Sequence, residues 1–297
     1  MTSPLEIVST SGSRALISPI GAELISLKTD AGKEILYQKD GGWDRQSPLL
    51  FPVVGQIQNG GYEIDGTHYP MEIHGFLRDL NLSIIEHTSN KIVLEVTENN
   101  KTLLSYPFKF HVSVSYEFVG ATLVVCTKAT NTDDRTAPFS FGYHPGFIWP
   151  LDPYTAKEDH VITFEKDEPK LINDVLNWHG GGSITSPVSD RRLNLSDELF
   201  TRFLTVVLDK PNSTSVTYGT GTDSGPSIMV DFENLPLLAF WSRPGGNWVC
   251  IEPWDGHADP KGFTGSLWDK PRIKKVPPGE THDWTMRITY NAGTSPA

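Results

Sequence analysis

The feature that most restricts this chain is the short period of its apolar pattern. Residues 111–118 alternate, with Val112, Val114, Tyr116 and Phe118 on one face. Residues 92–96, 122–126, 227–232, 248–251 and 284–290 are rich in β-branched and aromatic side chains. Successive side chains of a strand point to opposite faces, so such runs suit half-buried pleated strands. Turn signals break them at short intervals: Asn59-Gly60-Gly61, Asp65-Gly66, Pro211-Asn212 and Pro277-Pro278-Gly279. Residues 62–69 read as a hairpin turning at Asp65-Gly66, a pair that favours tight two-residue turns. Helical periodicity is nearly absent; Ser196 is expected to cap a single turn over the residues up to Phe200. Residues 150–190, with Pro150, Pro153, Pro169 and three glycines at 180–182, are expected to form irregular loops over one face. Many short strands without intervening helices predict an all-β fold, a large antiparallel β-sandwich, rather than βαβ units. No repeat or shift of composition divides residues 1–297, which are expected to form one domain.

Charge narrows the function. The chain has 297 residues, with 36 acidic against 25 basic side chains and a net charge of −11. Nucleic acids and anionic membranes attract basic surfaces, so neither is an expected partner. The N-terminal residues lack the basic-then-apolar pattern of a secretory leader, and no run reaches the ~18 apolar residues of a membrane span. Cys126 and Cys250 lie in apolar runs and read as reduced core thiols of a cytoplasmic protein.

Several apparent motifs fail their own tests. His179-Gly180-Gly181-Gly182 would suit an oxyanion hole only beside a G-x-S-x-G elbow, which the chain lacks. The run from Gly219 to Ser224 misses the third glycine of a dinucleotide loop. Asp255, His257 and Asp259 could ligate a metal but equally suit a polar loop without other ligands nearby, so no metal is expected. Phe147, Trp149, Trp241, Trp248, Trp254 and Trp268 sit beside turns or polar motifs. Most are expected in the core, with Trp241 and Trp254 as candidates to stack on a ligand.

Three segments place ionisable groups where apolar strands give way to backbone punctuation, where functional groups commonly sit. They are Glu72-Ile73-His74-Gly75-Phe76-Leu77-Arg78-Asp79, Phe141-Gly142-Tyr143-His144-Pro145-Gly146-Phe147, and Cys250-Ile251-Glu252-Pro253-Trp254-Asp255-Gly256. By themselves they indicate a sandwich with an acid–base site. Together, and in this order, they resemble the aldose 1-epimerase (mutarotase) family. Leu50-Phe51-Pro52-Val53-Val54-Gly55 resembles that family's Phe-Pro-x-x-Gly stretch, and Val276-Pro277-Pro278-Gly279-Glu280 its Pro-Gly-Glu turn. The resemblance extends from about residue 10 to about residue 290 and is closest to a divergent bacterial branch with the Glu-Pro-Trp ending.

The resemblance implies a galactose mutarotase-like supersandwich that interconverts the anomers of a free sugar without a cofactor. It implies Glu252 as general base, His144 as general acid and His74 as a second substrate-binding imidazole. Where the family commonly carries Arg after Phe-Pro-x-x-Gly, this chain has Gln56, an amide without guanidinium charge. Arg78 is the candidate to supply that charge, and Asp231 the candidate additional binding carboxylate. Glu252 and His144 are expected to face each other across a polar cleft the size of one pyranose. The alternatives are a hexose-6-phosphate mutarotase, for which Arg78, Arg135, Arg243 and Lys261 are the available cations, a non-catalytic sugar-binding protein and, last, a glycosidase, which needs two carboxylates. The expected assembly is a monomer or homodimer.

Overall fold

In the computed structural model the alternating runs form a nine-stranded antiparallel sheet packed against a six-stranded one. The structure describes residues 3–222 and 224–293. Met1 and Thr2, which belong to the N-terminal run without a leader pattern, and Asp223 of the glycine-containing turn lie outside the described residues. The large sheet runs in the order Arg192–Asn194, Val161–Phe164, Ser215–Gly219, Ser227–Glu233, Thr281–Asn291, Thr122–Asn131, Phe110–Val119, Lys91–Thr97 and Ser83–His87. The smaller sheet runs Thr205–Asp209, Leu237–Trp241, Trp248–Asp255, Phe141–Tyr143 and Leu49–Leu50, with Gly146–Ile148 also paired to Trp248–Asp255.

The predicted face of Phe110–Val119 is the buried one, through Val112, Val114, Tyr116 and Phe118. Leu123, Val125, Trp284, Met286, Ile288, Ile228 and Val230 extend it across the sheet. Val206, Leu208, Leu238, Phe240, Val249 and Ile251 meet it from the smaller sheet. Burying each such aliphatic or aromatic side chain contributes about 1.5–3 kcal/mol.

Gly61–Ile64 and Thr67–Pro70 form the expected hairpin, and Asp65 and Gly66 both take the positive φ that its turn requires. The Ser196 hydroxyl accepts the Leu199 amide at 3.1 Å, but the helix continues to Phe203. A second helix, Asn100–Ser105, is capped by Asn99, a polar signal overshadowed by the surrounding strand pattern. The 150–190 stretch is not all loop. Val161–Phe164 is an interior strand of the large sheet, because neighbouring strands pair with it on both sides and Val161, Ile162 and Phe164 are buried. Of the two thiols, Cys250 is buried and Cys126 only partly so, and both are free.

Strand Trp248–Asp255 organises the outward face of the smaller sheet. Its odd-numbered Val249 and Ile251 enter the core between the sheets, so Trp248, Cys250, Glu252 and Trp254 face the other way. On one side Leu237, Ala239 and Trp241 lie opposite Trp254, Glu252 and Cys250. On the other side Gly142 lies opposite Trp254 and Gly146 opposite Cys250. Pairing is interrupted between these two glycines, at His144 and Pro145, but the register is the same before and after. Two residues inward from each end, His144 falls opposite Glu252.

The glycines are sterically required. A Cβ at Gly142 would sit 2.6 Å from Trp254 Cδ1, and one at Gly146 would sit 2.6 Å from the Trp43 ring. Gly142→Ala is therefore expected to cost about 1–3 kcal/mol as an overpacked site. Equilibrium urea denaturation checks this, and an unchanged midpoint would show that the Trp254 ring yields freely.

Candidate active site

Three adjacent strands thus build a small lattice of side chains on the outward face of the smaller sheet. Its middle row is Ala239, Glu252 and His144, and a neighbouring row is Trp241, Cys250 and Gly146. The absence of a side chain at Gly146 lets the Trp43 ring pack onto this face, since a Cβ there would sit 2.6 Å from it. Glu252 is 1% exposed and His144 is 7% exposed. His144 Nε2 lies 3.1 Å from Glu252 Oε2. The two are close but not aligned as donor and acceptor, so neither Glu252 oxygen has a hydrogen-bond partner, nor has His144 Nδ1.

Burial dominates the ionisation of both groups. It pushes the Glu252 carboxyl well above the usual carboxylate range. The Trp254 indole N–H works against that rise, although its geometry falls short of a hydrogen bond. Burial likewise pushes His144 down to about 3, with the Arg78 charge acting in the same direction. Burial thus disfavours the charged form of each group.

His74 joins the pair from a separate loop. Its ring centroid is 5.4 Å from that of His144, edge-on. His74 holds a positive φ of 66°, and a hydrogen bond from the Gly55 amide to its Nδ1 at 3.0 Å fixes the ring. Nδ1 must accept there, which assigns the proton of neutral His74 to Nε2. Burial, then His144 and Arg78, hold His74 well below its ordinary pKa. Arg78 lies close enough to bear on both imidazoles; its Nε makes no hydrogen bond and lies 3.7 Å from Asp79 Oδ2.

Of the residues singled out from the sequence, Glu252, His144, His74, Arg78, Trp241 and Trp254 converge here. Trp241 meets His144 edge-on at 5.7 Å. Gln56 is exposed at the flank, lining a cavity of about 800 Å³ with Glu72, Ile73, Gly75 and Phe76. Asp231 is set apart: it alternates with buried Val230 and Phe232, so it points away from the sheet interface, beside Arg287. It lines a different cavity, about 830 Å³, together with Glu233, Asp283 and Arg287. The suspected metal loop also disperses. Asp255 accepts from Trp284 Nε1 and pairs with Lys274, Asp259 pairs with Lys270, and His257 turns back to the Ala258 carbonyl.

Two features were not anticipated. Trp43 stacks on His144 with centroids 5.1 Å apart, and touches Trp241 at 5.4 Å. Its loop is tied down by the Tyr37 hydroxyl, which accepts the Gly41 and Trp43 amides, and by Arg243, which donates to the Gly42 carbonyl. The signal in the sequence was the same turn-flanked aromatic pattern, Gly41-Gly42-Trp43. The pair is also not spread across an open cleft, because the cross-strand register brings it into contact and Trp43 covers it.

Comparison with known proteins gives the family. The sequence profile described as aldose 1-epimerase matches residues 5–219. The chain belongs to the aldose 1-epimerase family. Among its relatives in that fold, this epimerase-family chain is similar to a galactose mutarotase related enzyme of Lactobacillus acidophilus. The two are 29% identical, with a TM-score of 0.88, over 98% of each chain. It is similar to a galactose mutarotase-like protein of Lactobacillus casei at 25% identity and a TM-score of 0.88, over 97% of this chain and 100% of the other. It is also 28% identical to the plasmid form of protein LacX of Lactococcus lactis subsp. lactis, over 91% of this chain and 94% of that one. The antiparallel supersandwich expected from the sequence is therefore the fold of this family member.

The buried imidazole gives a direct test. A free imidazole takes its proton near 6.5, whereas His144 is held down toward about 3. Its ring signals in an NMR titration should stay those of the neutral form as pH falls through 6.5. In the unfolded chain the same group binds a proton there, so this contribution destabilises the fold as pH drops below 6.5. An ordinary midpoint near 6.5 would overturn the assignment.

Proposed function

We propose that this chain is an aldose 1-epimerase that interconverts the α and β anomers of a free aldose, working without a cofactor. The observation that carries this reading is the contact between two buried titratable groups, His144 and Glu252, whose outer atoms lack partners. Desolvating such atoms costs about 1–3 kcal/mol each. A sugar returns what they lose, because its hydroxyls donate to a carboxylate and its ring oxygen accepts from an imidazolium.

The chemistry rests on one shared proton. Ring opening of a hemiacetal removes a proton from the C1 hydroxyl and delivers one to the ring oxygen. Passing the pair's proton from Glu252 to His144 yields the carboxylate and imidazolium that these two transfers need. Glu252 then takes the C1 hydroxyl proton while His144 protonates the ring oxygen. Rotation about C1–C2 presents the other aldehyde face, and reclosure reverses both transfers. Both reacting oxygens sit on one carbon, so contact between acid and base suits this reaction better than the wide separation first expected. The Nε2–H of His74 and the charge of Arg78 stabilise negative charge developing on the opened sugar. Arg78 thereby compensates for Gln56, which binds hydroxyls from the flank. Trp241 offers a stacking face, Trp254 keeps its N–H toward the carboxylate, and the sugar enters past Trp43 and Trp241, both partly exposed. Asp231, on the far face, takes no part.

A non-catalytic sugar binder needs no acid and base in contact. Mutarotation of a sugar phosphate is the second reading, favoured by Arg243, whose guanidinium lies 5.6 Å over the Trp241 ring. Arg135, by contrast, is committed to Asp133 and the Pro107 carbonyl. We infer further that the chain acts as one domain in the cytoplasm, as a monomer or homodimer. Among the described residues no helix is long and apolar enough to cross a membrane.

Polarimetry of freshly dissolved α-glucose, α-galactose and α-glucose 6-phosphate tests both readings. Glu252→Gln and His144→Asn are each expected to lose about 10²–10⁴-fold in kcat with folding intact. Rates equal to the wild type in both variants would eliminate the assignment. The pH profile should fall on the acid side only well below 6.5, where the pair gains a second proton, and on the alkaline side where Glu252 gives up its proton above the usual carboxylate range.

A further inference from the structure

The same lattice carries a third donor that the acid–base reading leaves unused. Cys250 is two residues before Glu252 on the same strand, hence on the same face, and is diagonal to His144 across the strand pair. One ligand atom from each of His144, Cys250 and Glu252 lies within 4.8 Å of the others. We propose that these three side chains form a binding site for a thiophilic divalent cation of the zinc type, and that the bound cation blocks the acid–base pair.

The donor set is the first argument. Imidazole nitrogen, thiolate sulfur and carboxylate oxygen are the three ligand types that zinc takes, and three protein ligands leave a fourth tetrahedral position open. Tetrahedral bonds of about 2.0–2.3 Å place two ligands on one ion about 3.3–3.8 Å apart. Ligand atoms within 4.8 Å of one another must therefore close by about 1 Å as the ion binds. Charge is the second argument. A dication with one thiolate, one carboxylate and a neutral imidazole is electrically balanced, which suits a site where an isolated ion is costly. The Cys250 thiol proton, and that of the Glu252 carboxyl, leave to solvent as Sγ and the carboxylate oxygen take the metal. The third argument is that both Glu252 oxygens are buried without partners, so no existing hydrogen bond must be broken. Trp43 and Trp241 pack around Cys250 and Trp248 and shield the position from bulk water.

Binding by itself does not depend on the epimerase reading, whereas inhibition does, so the two are measured separately. Co²⁺ titrated into the metal-free full chain should produce the near-ultraviolet thiolate-to-cobalt absorption, and Zn²⁺ should displace it. Cys250→Ser should abolish that band, Cys250→Ala should do the same, and Cys126→Ser should keep it; circular dichroism establishes that each variant is folded. Zn²⁺ should slow mutarotation by the wild type, reversibly on chelation, and Cys250→Ser should weaken this inhibition by more than about tenfold. Absence of the band in the wild type, or its survival in both Cys250 variants, overturns the site. A band without any mutarotase activity would sustain the metal site while removing the epimerase reading.

Discussion

Two titratable side chains buried in contact, His144 and Glu252, are the constraint to which the surrounding structure answers. An ionised carboxylate removed from water without donors is costly, and so is an imidazolium. Burial accordingly raises the Glu252 carboxyl and lowers the His144 imidazole, disfavouring the charged form of each. Arg78 reinforces the choice, since its charge opposes protonation of both His144 and His74. The cationic form of His144 is then accessible mainly when something else stabilises the Glu252 carboxylate. In the proposed reaction a bound sugar with several hydroxyls is such a group, so proton relocation and substrate binding would become one event.

That arrangement is a product of sheet register. On Trp248–Asp255, alternation sends Val249 and Ile251 inward and Cys250 and Glu252 outward. A slip by one residue would exchange the two sets, placing a carboxylate between the sheets and two aliphatic side chains at the site. The apolar contact between the two sheets therefore holds the position of one carboxyl group. His144 depends on the same register through the glycines on either side of it. Gly142 and Gly146 anchor the neighbouring strand at both ends of the interruption, and Pro145, which has no N–H to give to a ladder, keeps the interruption open.

The strands were legible because period-two alternation is local: each short run carries the evidence for its own buried face. Val161–Phe164 escaped because prolines and glycines on either side of it dominate the composition of its surroundings. His144, Glu252, His74 and Arg78 were legible as punctuated strand ends, and the resemblance ordered them. Their contact was not legible, because it depends on which strand pairs with which and in what register, a long-range property. Asp231 failed for a related reason. Its neighbours Val230 and Phe232 already fixed it on the polar face of its strand, but not which side of the sandwich that face would occupy. Trp43 carried the same local signal as Trp241, and its place over His144 depends on a loop held by the Tyr37 hydroxyl and by the distant Arg243.

Family membership and fold do not by themselves establish catalysis, since one fold hosts many activities. The discriminating feature lies in the polar atoms of His144 and Glu252 that have no hydrogen-bond partner. A structural histidine and glutamate in a core would be tied to backbone or side-chain partners, as Asp255 is to Trp284 and Asp259 to Lys270. His144 and Glu252 are packed as tightly as those residues but keep their outer atoms uncommitted. Such atoms confer no stability, and their cost is borne by the apolar packing on the reverse of the same strand. That uncommitted state is what both proposals rest on: a sugar would bring its own hydrogen-bonding groups, and a soft cation would need only lone pairs.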